Sequence, residues 1–270
     1  MIPAPFDYVR ATSAGHALEL LAARGDEAKL LAGGHSLLPM MKLRLAVPSV
    51  LVDIGAMDEL AGIAIDGDDL VIGATTRHAD VAGSDLVRTE APLLAWSAAQ
   101  VGDPQIRHRG TIGGSLAHSD PAADLPMALT ALDGSMEISG PSGTRTVGAD
   151  DFFVGYFETA MEPDELLTAV RIPRRPGEPW GYQKFTRRAN DWAIVGVAAV
   201  GGRVALANMG ARPLRASAVE QALASGASVA DAAQLAAEGT EPGEDIHADR
   251  EYRQHLARVL TERALRHQTG

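Results

Sequence analysis

The chain contains no cysteine. This absence excludes disulfide bonds, zinc sites with thiolate ligands and iron–sulfur clusters held entirely by cysteine. The eight histidines follow neither the HExxH spacing nor a comparable metal-binding pattern. If the protein works with metals, we therefore expect other chains to carry them.

The sequence also lacks a long apolar run and an excess of basic residues. No segment approaches the ~20 consecutive apolar residues that a membrane-spanning helix needs. Residues 1–7 have neither the basic segment nor the apolar core of a secretion signal, so we expect a cytoplasmic location. The net charge of −11 argues against nucleic acid as a partner. Any phosphate-bearing ligand would have to be held by local features, chiefly backbone amides.

What is present is typical of a globular protein, with 46% hydrophobic and 22% charged residues over 270 positions. Capping signals and apolar periodicity predict helices over 14–24, 37–45, 92–101, 120–132, 216–225, 229–238 and 249–267. Ser13, Ser36 and Asp120 are predicted as N-caps of the first, second and fourth of these helices. Strands are predicted over 28–32, 49–54, 62–65, 69–72, 135–139, 144–147, 166–172, 193–200 and 203–207. Segment 102–110 fits neither periodicity, and the proline-rich stretch 171–179 suggests a domain boundary near 175.

Two similar glycine segments are the most informative feature: residues 32–36 (AGGHS, the first glycine segment) and 111–115 (TIGGS, the second glycine segment). Paired glycines permit positive φ and let a ligand approach the backbone. Successive amides in such turns form an anion-binding nest, and two converging nests would suit a diphosphate. The alternative is two ordinary turns, since glycine is the default turn residue. The GxGxxG, GxxxxGK[ST] and GxSxG signatures are absent.

These segments and their surroundings resemble the FAD-binding (medium) subunits of molybdenum hydroxylases. The first glycine segment continues as LLPMMK (37–42), and the second lies between DPQIR (103–107) and DPAAD (120–124). The final segment 252–260 also resembles the closing helix of the family, so the likeness covers essentially the whole chain. Within the family it is greatest to the group of aerobic, molybdenum-containing carbon monoxide dehydrogenases. The resemblance implies an α+β fold with a two-lobed FAD-binding domain of the PCMH or vanillyl-alcohol-oxidase type. The lobes would be about 1–57 and 58–175, and the C-terminal domain, 176–270, would have a three-stranded antiparallel sheet and helices.

The resemblance implies a non-covalent FAD site and no catalytic residue for substrate turnover. The implied contacts are Ala32, Gly33, Gly34, His35, Ser36, Leu37, Ile106, Thr111, Gly113, Gly114, Ser115, Ser119, Asp120, Asp124, Lys184 and Trp192. His35 could alternatively attach flavin covalently, although its position in the first glycine segment favours a backbone role. Asp120 and Asp124 could instead be helix caps, and Trp192 a core aromatic beside a solvated basic turn.

Two positions depart from the family's pattern. Serine stands at 115 where asparagine is common, which shortens the reach of that side chain. Trp192 stands where tyrosine usually lies against the flavin ring, which keeps a stacking face but loses a hydroxyl.

By the same resemblance the chain is an electron-transfer subunit. A small subunit with [2Fe-2S] clusters would supply electrons, and a large molybdopterin-binding subunit would oxidise the substrate, in a dimer of heterotrimers that could lie against the inner face of the cell membrane. The acceptor stays open between quinone, NAD and oxygen. Six basic residues between 171 and 188 suggest either a docking surface or a solvated linker. The rival functions are a stand-alone FAD oxidase or reductase, and a module that binds another phosphate ligand.

Overall fold

The computed structural model describes residues 2–267, which form a small lobe, a large lobe and a C-terminal domain. The small lobe, as we call the elements between residues 7 and 53, has strands that are all parallel, in the order β1-β3-β2. Its elements are β1 (Asp7–Arg10), α1 (Ala14–Arg24), β2 (Ala28–Leu31), α2 (Leu37–Lys42) and β3 (Val50–Asp53). Ser13 caps α1 by accepting a hydrogen bond from the His16 amide at 3.1 Å, as predicted. Leu21 of α1 packs on Val50 and Val52 of the central strand.

The large lobe, as we call the elements between residues 58 and 173, is a sheet of antiparallel strands in the order β4-β5-β10-β6-β7, with helices against it. Its strands are β4 (Ile63–Asp66), β5 (Asp69–Gly73), β6 (Ser135–Gly140), β7 (Gly143–Gly148), β8 (Phe153–Gly155), β9 (Glu158–Thr159) and β10 (Leu166–Pro173). Its helices are α3 (His78–Gly83), α4 (Asp85–Glu90), α5 (Pro92–Ala99), α6 (Pro104–Arg107), α7 (Ile112–His118), α8 (Asp124–Ala131) and α9 (Ala149–Phe152). The predicted pairing of 62–65 with 69–72 and the hairpin around 140–143 are both confirmed.

The C-terminal domain, as we call the elements between residues 180 and 266, is an antiparallel meander, β11-β12-β13-β14, covered by helices. Its elements are β11 (Trp180–Phe185), β12 (Val195–Val200), β13 (Arg203–Ala207), β14 (Leu214–Arg215), α10 (Ser217–Ala224), α11 (Val229–Ala233) and α12 (Arg250–Arg266). The expected sheet of three strands has a fourth, β14, which is two residues long and therefore too short to leave a periodic signal.

Strand β12 explains how this domain is held to the large lobe. All its residues are buried, because the two faces of the sheet pack on different cores. Ala198 and Val200 join the core of the large lobe, whereas Val195, Val197 and Ala199 join the core beneath α12. A strand buried on both faces is a continuous apolar run without alternation.

No helix within residues 2–267 has both the length and the apolar character needed to cross a membrane.

Three local predictions were wrong. The helix expected to open at Asp120 begins at Asp124, because the Asp120 carboxylate accepts a hydrogen bond from the Ala122 amide at 2.9 Å and closes an Asx turn instead. Ser36 precedes α2 without a side-chain capping bond. Segment 102–110 is not wholly irregular, since Asp103 caps the one-turn helix α6 through the Ile106 amide at 2.9 Å.

The cluster of basic residues between 171 and 188 is mostly used inside the chain. Arg171 pairs with Asp66, Asp69 and Glu137 at 2.6, 2.9 and 2.8 Å. The other pairs are Arg174–Glu90, Arg175–Asp133 and Lys184–Asp124, at 3.0, 3.0 and 2.9 Å. The charges of these four side chains are thus paired within the chain. Arg187 and Arg188 remain on an exposed loop.

Candidate functional site

A cavity of about 650 Å³ lies where the small lobe, the large lobe and the C-terminal domain meet. Its volume is that of a site for an organic ligand or cofactor. The first glycine segment lines it from the small lobe and the second from the large lobe, while Lys184 and Trp192 reach it from the C-terminal domain. We call it the interlobe cavity.

The first glycine segment presents an array of free backbone amides. It follows β2 and turns at Gly34, which has a φ of +74°, into α2. Within residues 2–267, the amides of residues 33–37 have no hydrogen-bond acceptor. Successive unpartnered amides ahead of a helix form an anion-binding nest. The His35 ring folds back towards the Gly33 carbonyl, with Nδ1 and the oxygen 3.1 Å apart.

The second glycine segment differs from the prediction. Its glycines lie in the first turn of α7, without positive φ. Its amides are already used: Ile112 donates to the Thr76 carbonyl at 3.0 Å, Gly113 to the Ala74 carbonyl at 2.8 Å and Gly114 to Thr111 Oγ1 at 3.1 Å. The Ser115 amide donates to the Thr111 carbonyl at 3.0 Å. The prediction of a second amide nest was therefore wrong.

Close packing explains the glycine at position 113. A Cβ there would lie 2.6 Å from the Ala74 Cβ and 2.7 Å from the Ala74 carbonyl oxygen. Such distances are far below ordinary contact, so only glycine fits without a shift of backbone. Gly114, by contrast, is exposed towards the interlobe cavity. The second glycine segment is thus a close wall of the cavity and not a nest.

The two segments lie side by side because the lobes touch at Gly33. A Cβ on Gly33 would be 2.8 Å from the Gly110 Cα and closer still to the Arg109 carbonyl oxygen. Arg77 fastens the same junction by donating to the Gly55 carbonyl at 2.7 Å and to the Arg109 carbonyl at 2.5 Å. The glycine segments therefore face one cavity together.

A buried polar cluster lies on the large-lobe side of the cavity. Asp124, 4% exposed, accepts hydrogen bonds from the Tyr182 hydroxyl and, at 2.9 Å, from Lys184 Nζ. Burial raises the pKa of Asp124, while the charge of Lys184 and the two hydrogen bonds act in the opposite direction. Burial and the neighbouring carboxylate also raise the pKa of Tyr182. Lys184 thus brings a paired, nearly buried ammonium to the cavity wall.

The structure brings together most of the residues that the sequence suggested. The cavity is lined by Ala32, Gly33, Gly34, His35, Ser36, Leu37, Ile106, Thr111, Gly113, Gly114, Ser115, Asp124, Lys184 and Trp192. Trp192 is 58% exposed, so it is not the core aromatic of the alternative interpretation.

Ser119 and Asp120 are not among the lining residues. Ser119 is buried and donates its hydroxyl to the Glu158 carbonyl at 3.1 Å, and Asp120 closes the turn before α8. Asp124 lies in the first turn of α8 and is not its N-cap.

Sequence reasoning missed several residues of the cavity wall. His78 is 4% exposed, and burial lowers its pKa to about 4, with His35, Arg77 and Arg107 adding to the shift. The rings of His118 and Phe157 lie 5.0 Å apart at another part of the wall. Phe157 has a φ of +54°, which is uncommon for a bulky residue. A lone histidine before a short helix carries no sequence signal, and neither does an aromatic residue in a turn.

Two described protein families together match almost the whole chain. Residues 4–175 match the family described as "FAD binding domain in molybdopterin dehydrogenase", and residues 180–268 match "CO dehydrogenase flavoprotein C-terminal domain". The carbon monoxide dehydrogenase medium chain of Hydrogenophaga pseudoflava is 42% identical, over 98% of this chain and 97% of that one. The 6-hydroxypseudooxynicotine dehydrogenase complex subunit alpha of Paenarthrobacter nicotinovorans is 38% identical, over 98% and 95%.

A solved structure is similar throughout. It is a carbon monoxide dehydrogenase from Hydrogenophaga pseudoflava that lacks the Mo-pyranopterin moiety of its molybdenum cofactor. The TM-score is 0.95 at 44% identity, with 98% of each chain covered.

Proposed function

The chain belongs to the family of FAD-binding subunits of molybdenum hydroxylases, and from this premise we propose that it holds FAD across the interlobe cavity as an electron-transfer subunit. The observation that carries the proposal is the run of free amides at residues 33–37, at one side of a cavity of about 650 Å³. Successive amide donors that lack acceptors and line a cavity form a nest, which favours an anionic ligand.

The residues present fit FAD. The first glycine segment supplies donors for a diphosphate, although the chain as a whole has a net charge of −11. Gly114 leaves room for close approach, and the Ser115 hydroxyl can contact the ligand from the large lobe. Asp124 can accept from ligand hydroxyl groups. Lys184 supplies the cationic donor, and Trp192 an aromatic face at the cavity edge.

When bound, FAD supplies redox chemistry that accepts single electrons and releases them in pairs. The chain's own residues bind and orient it. The free amides would hold the diphosphate, and the Asp124–Lys184 pair sets the local charge without adding net charge. The cluster around Asp124 is buried, so water is kept from that part of the wall. The pKa of Tyr182 is raised, so its proton stays on the hydroxyl and holds Asp124 in place.

The partners we propose are a large molybdopterin-binding subunit and a small subunit with [2Fe-2S] clusters, assembled as a dimer of heterotrimers. The absence of cysteine from this chain supports an electron donor on another chain. The complex that the comparisons favour is a carbon monoxide dehydrogenase. A subunit of the 6-hydroxypseudooxynicotine dehydrogenase complex is almost as similar, which supports a substrate site on the partner chain.

Flavin content of two glycine variants tests the FAD site. Gly34→Ala places a Cβ 3.0 Å from Leu38 Cδ1 at a φ of +74°. Gly226 has a comparable φ of +85° with open space around it and does not line the cavity, so Gly226→Ala is the matched control. We expect the wild type and Gly226→Ala to co-purify with one FAD, with absorbance near ~450 nm, and Gly34→Ala to lose most of it. A wild-type chain that binds no FAD, or equal retention by both variants, contradicts the proposed site.

The complex is tested by affinity purification of the tagged full-length chain from its native cells. We expect two co-purifying subunits, one of them rich in cysteine, and oxidation of carbon monoxide by the whole complex only. A fully active homo-oligomer would instead identify a stand-alone FAD oxidase or reductase.

A further inference from the structure

His78 lies at the junction that holds the first glycine segment. It is the first residue of α3, and its amide donates to the Gly110 carbonyl at 3.0 Å. Its ring packs on the Cα of Gly110, where a Cβ would lie 2.7 Å from Cδ2 and 2.8 Å from Nε2. Gly110 in turn touches Gly33. The imidazole therefore lines the interlobe cavity one residue away from the free amides.

The ring nitrogens of His78 lack partners inside the chain. Nδ1 is buried without a hydrogen bond, whereas Nε2 is not among the fully buried side-chain atoms of residues 2–267 that lack one. Nδ1 is enclosed by protein, so Nε2 is the nitrogen that keeps access to the cavity. A buried polar side chain without any partner is rare in native proteins, and each case calls for an explanation such as an absent ligand.

The surroundings of His78 decide its charge and tautomer. Burial lowers its pKa to about 4, and the neighbouring His35, Arg77 and Arg107 side chains act in the same direction. At neutral pH the ring is uncharged and has one N–H group. An orphaned N–H in the interior is less well tolerated than an orphaned acceptor. The proton therefore belongs on Nε2, which makes His78 an uncharged donor aimed at the cavity.

We propose that His78 is a cofactor-contacting residue whose Nε2–H donates a hydrogen bond to an oxygen of the FAD diphosphate. This rests on the proposed function, because it needs FAD in the interlobe cavity. The diphosphate is the acceptor that the position favours, since Gly110 separates His78 from Gly33, the first amide of the nest. On the large-lobe side, His78 Nε2–H would thus be a donor for the diphosphate in place of the amides of residues 112–115, which already donate to acceptors within the chain.

Three variants at one position separate the two ring nitrogens. In His78→Gln the amide nitrogen stands near the place of Nε2, and in His78→Asn near that of Nδ1, whereas His78→Leu has no donor. FAD affinity is measured on the full-length chain after removal of flavin, by quenching of flavin fluorescence. We expect His78→Gln to bind within about threefold of the wild type. His78→Asn and His78→Leu should bind about 10- to 100-fold more weakly, as for a lost hydrogen bond to a charged group.

A measurement on the wild type covers the case in which a variant fails to fold. NMR of ¹⁵N-labelled histidine, with and without FAD, should show His78 neutral and protonated at Nε2, with a ligand-induced shift larger at Nε2 than at Nδ1. Equal affinity of all three variants, weakening by His78→Gln as strong as by His78→Leu, or a proton on Nδ1 overturns the role of His78. In each case FAD still binds the wild type. Failure of the wild type to bind FAD would instead refute the proposed function.

Discussion

Replacing Gly33 by alanine tests how tightly the two lobes are joined. Gly33 needs no positive φ, so the backbone tolerates a side chain there. The added Cβ would lie 2.8 Å from the Gly110 Cα, whereas ordinary van der Waals contact begins at 3.4 Å. The obstacle is backbone, which cannot swing aside as a long side chain can. The lobes would have to part locally by roughly half an ångström or more.

The cost follows from this overlap. Overpacking a close contact typically costs about 1–3 kcal/mol. Arg77 donates to Gly55 and Arg109 on either side of the junction, so parting the lobes also lengthens those two bonds. We expect Gly33→Ala to lower the free energy of unfolding by about 2 kcal/mol and to weaken FAD binding as well, because residue 33 carries the first free amide.

Gly15→Ala is the control variant, for which we expect the free energy of unfolding to change in the opposite direction. Gly15 lies in α1, and a Cβ there would meet nothing closer than Ser13 Oγ at 3.8 Å. Removing glycine from a helix stabilises by about 0.5–1 kcal/mol. Both variants are compared by urea unfolding of the flavin-free chain and by FAD content. A Gly33→Ala chain within about 0.5 kcal/mol of the wild type, with full FAD content, would refute the tight junction.

Three further outcomes follow from the site. Asp124→Asn leaves the Lys184 ammonium buried without its anion, so unfolding in urea should show a loss of about 3–5 kcal/mol. Tyr182→Phe keeps the Asp124–Lys184 pair, so its free energy of unfolding should fall by only about 1 kcal/mol. Similar losses of stability in Asp124→Asn and Tyr182→Phe would contradict the pairing. The pKa of His78 is lowered to about 4 when folded, against 6.5 ordinarily, so the unfolded state takes up its proton first as pH falls. Between pH 6.5 and 4, the free energy of unfolding of the flavin-free wild type should therefore fall by about 3 kcal/mol more than that of His78→Gln. An equal dependence on pH in the two proteins would contradict this. Trp192 is 58% exposed, so Trp192→Ala should change stability by less than about 0.5 kcal/mol. It should also increase the quenching of bound-flavin fluorescence by iodide. Unchanged quenching would place the flavin ring away from the cavity edge at which Trp192 lies.

Much of the fold could be predicted because the signals are local. Helix α1 begins after Ser13 and ends before Gly25, as its capping residues indicate, and β6 and β7 pair around residues 140–143 as the turn residues predict. The long C-terminal helix begins at Arg250 after Asp249. Each of these features depends on side chains within about four positions of one another, which a single sequence displays.

What failed depended on contacts between distant segments. Gly113 resembles Gly34 in sequence, yet Gly34 turns the chain at positive φ whereas Gly113 packs in a helix on Ala74. Arg171 is paired with Asp66, Asp69 and Glu137, which lie 34 to 105 positions away along the chain. Asp120 followed by proline is a common helix start, but its carboxylate bonds the Ala122 amide first. Only the tertiary structure decides between such alternatives.

The asymmetry of the two glycine segments has a consequence for folding. The run of free amides at residues 33–37 belongs to the small lobe, whose core includes Leu60 and Leu166 of the large lobe. An anionic ligand fixed to those amides and to the opposite wall links the lobes, and a ligand that binds only the folded state stabilises by RT ln(1 + [L]/Kd). At a hundredfold excess over Kd this is about 2.7 kcal/mol. FAD should therefore protect the amides of β2 and β3 from hydrogen exchange more than those of α12, which packs on a separate core.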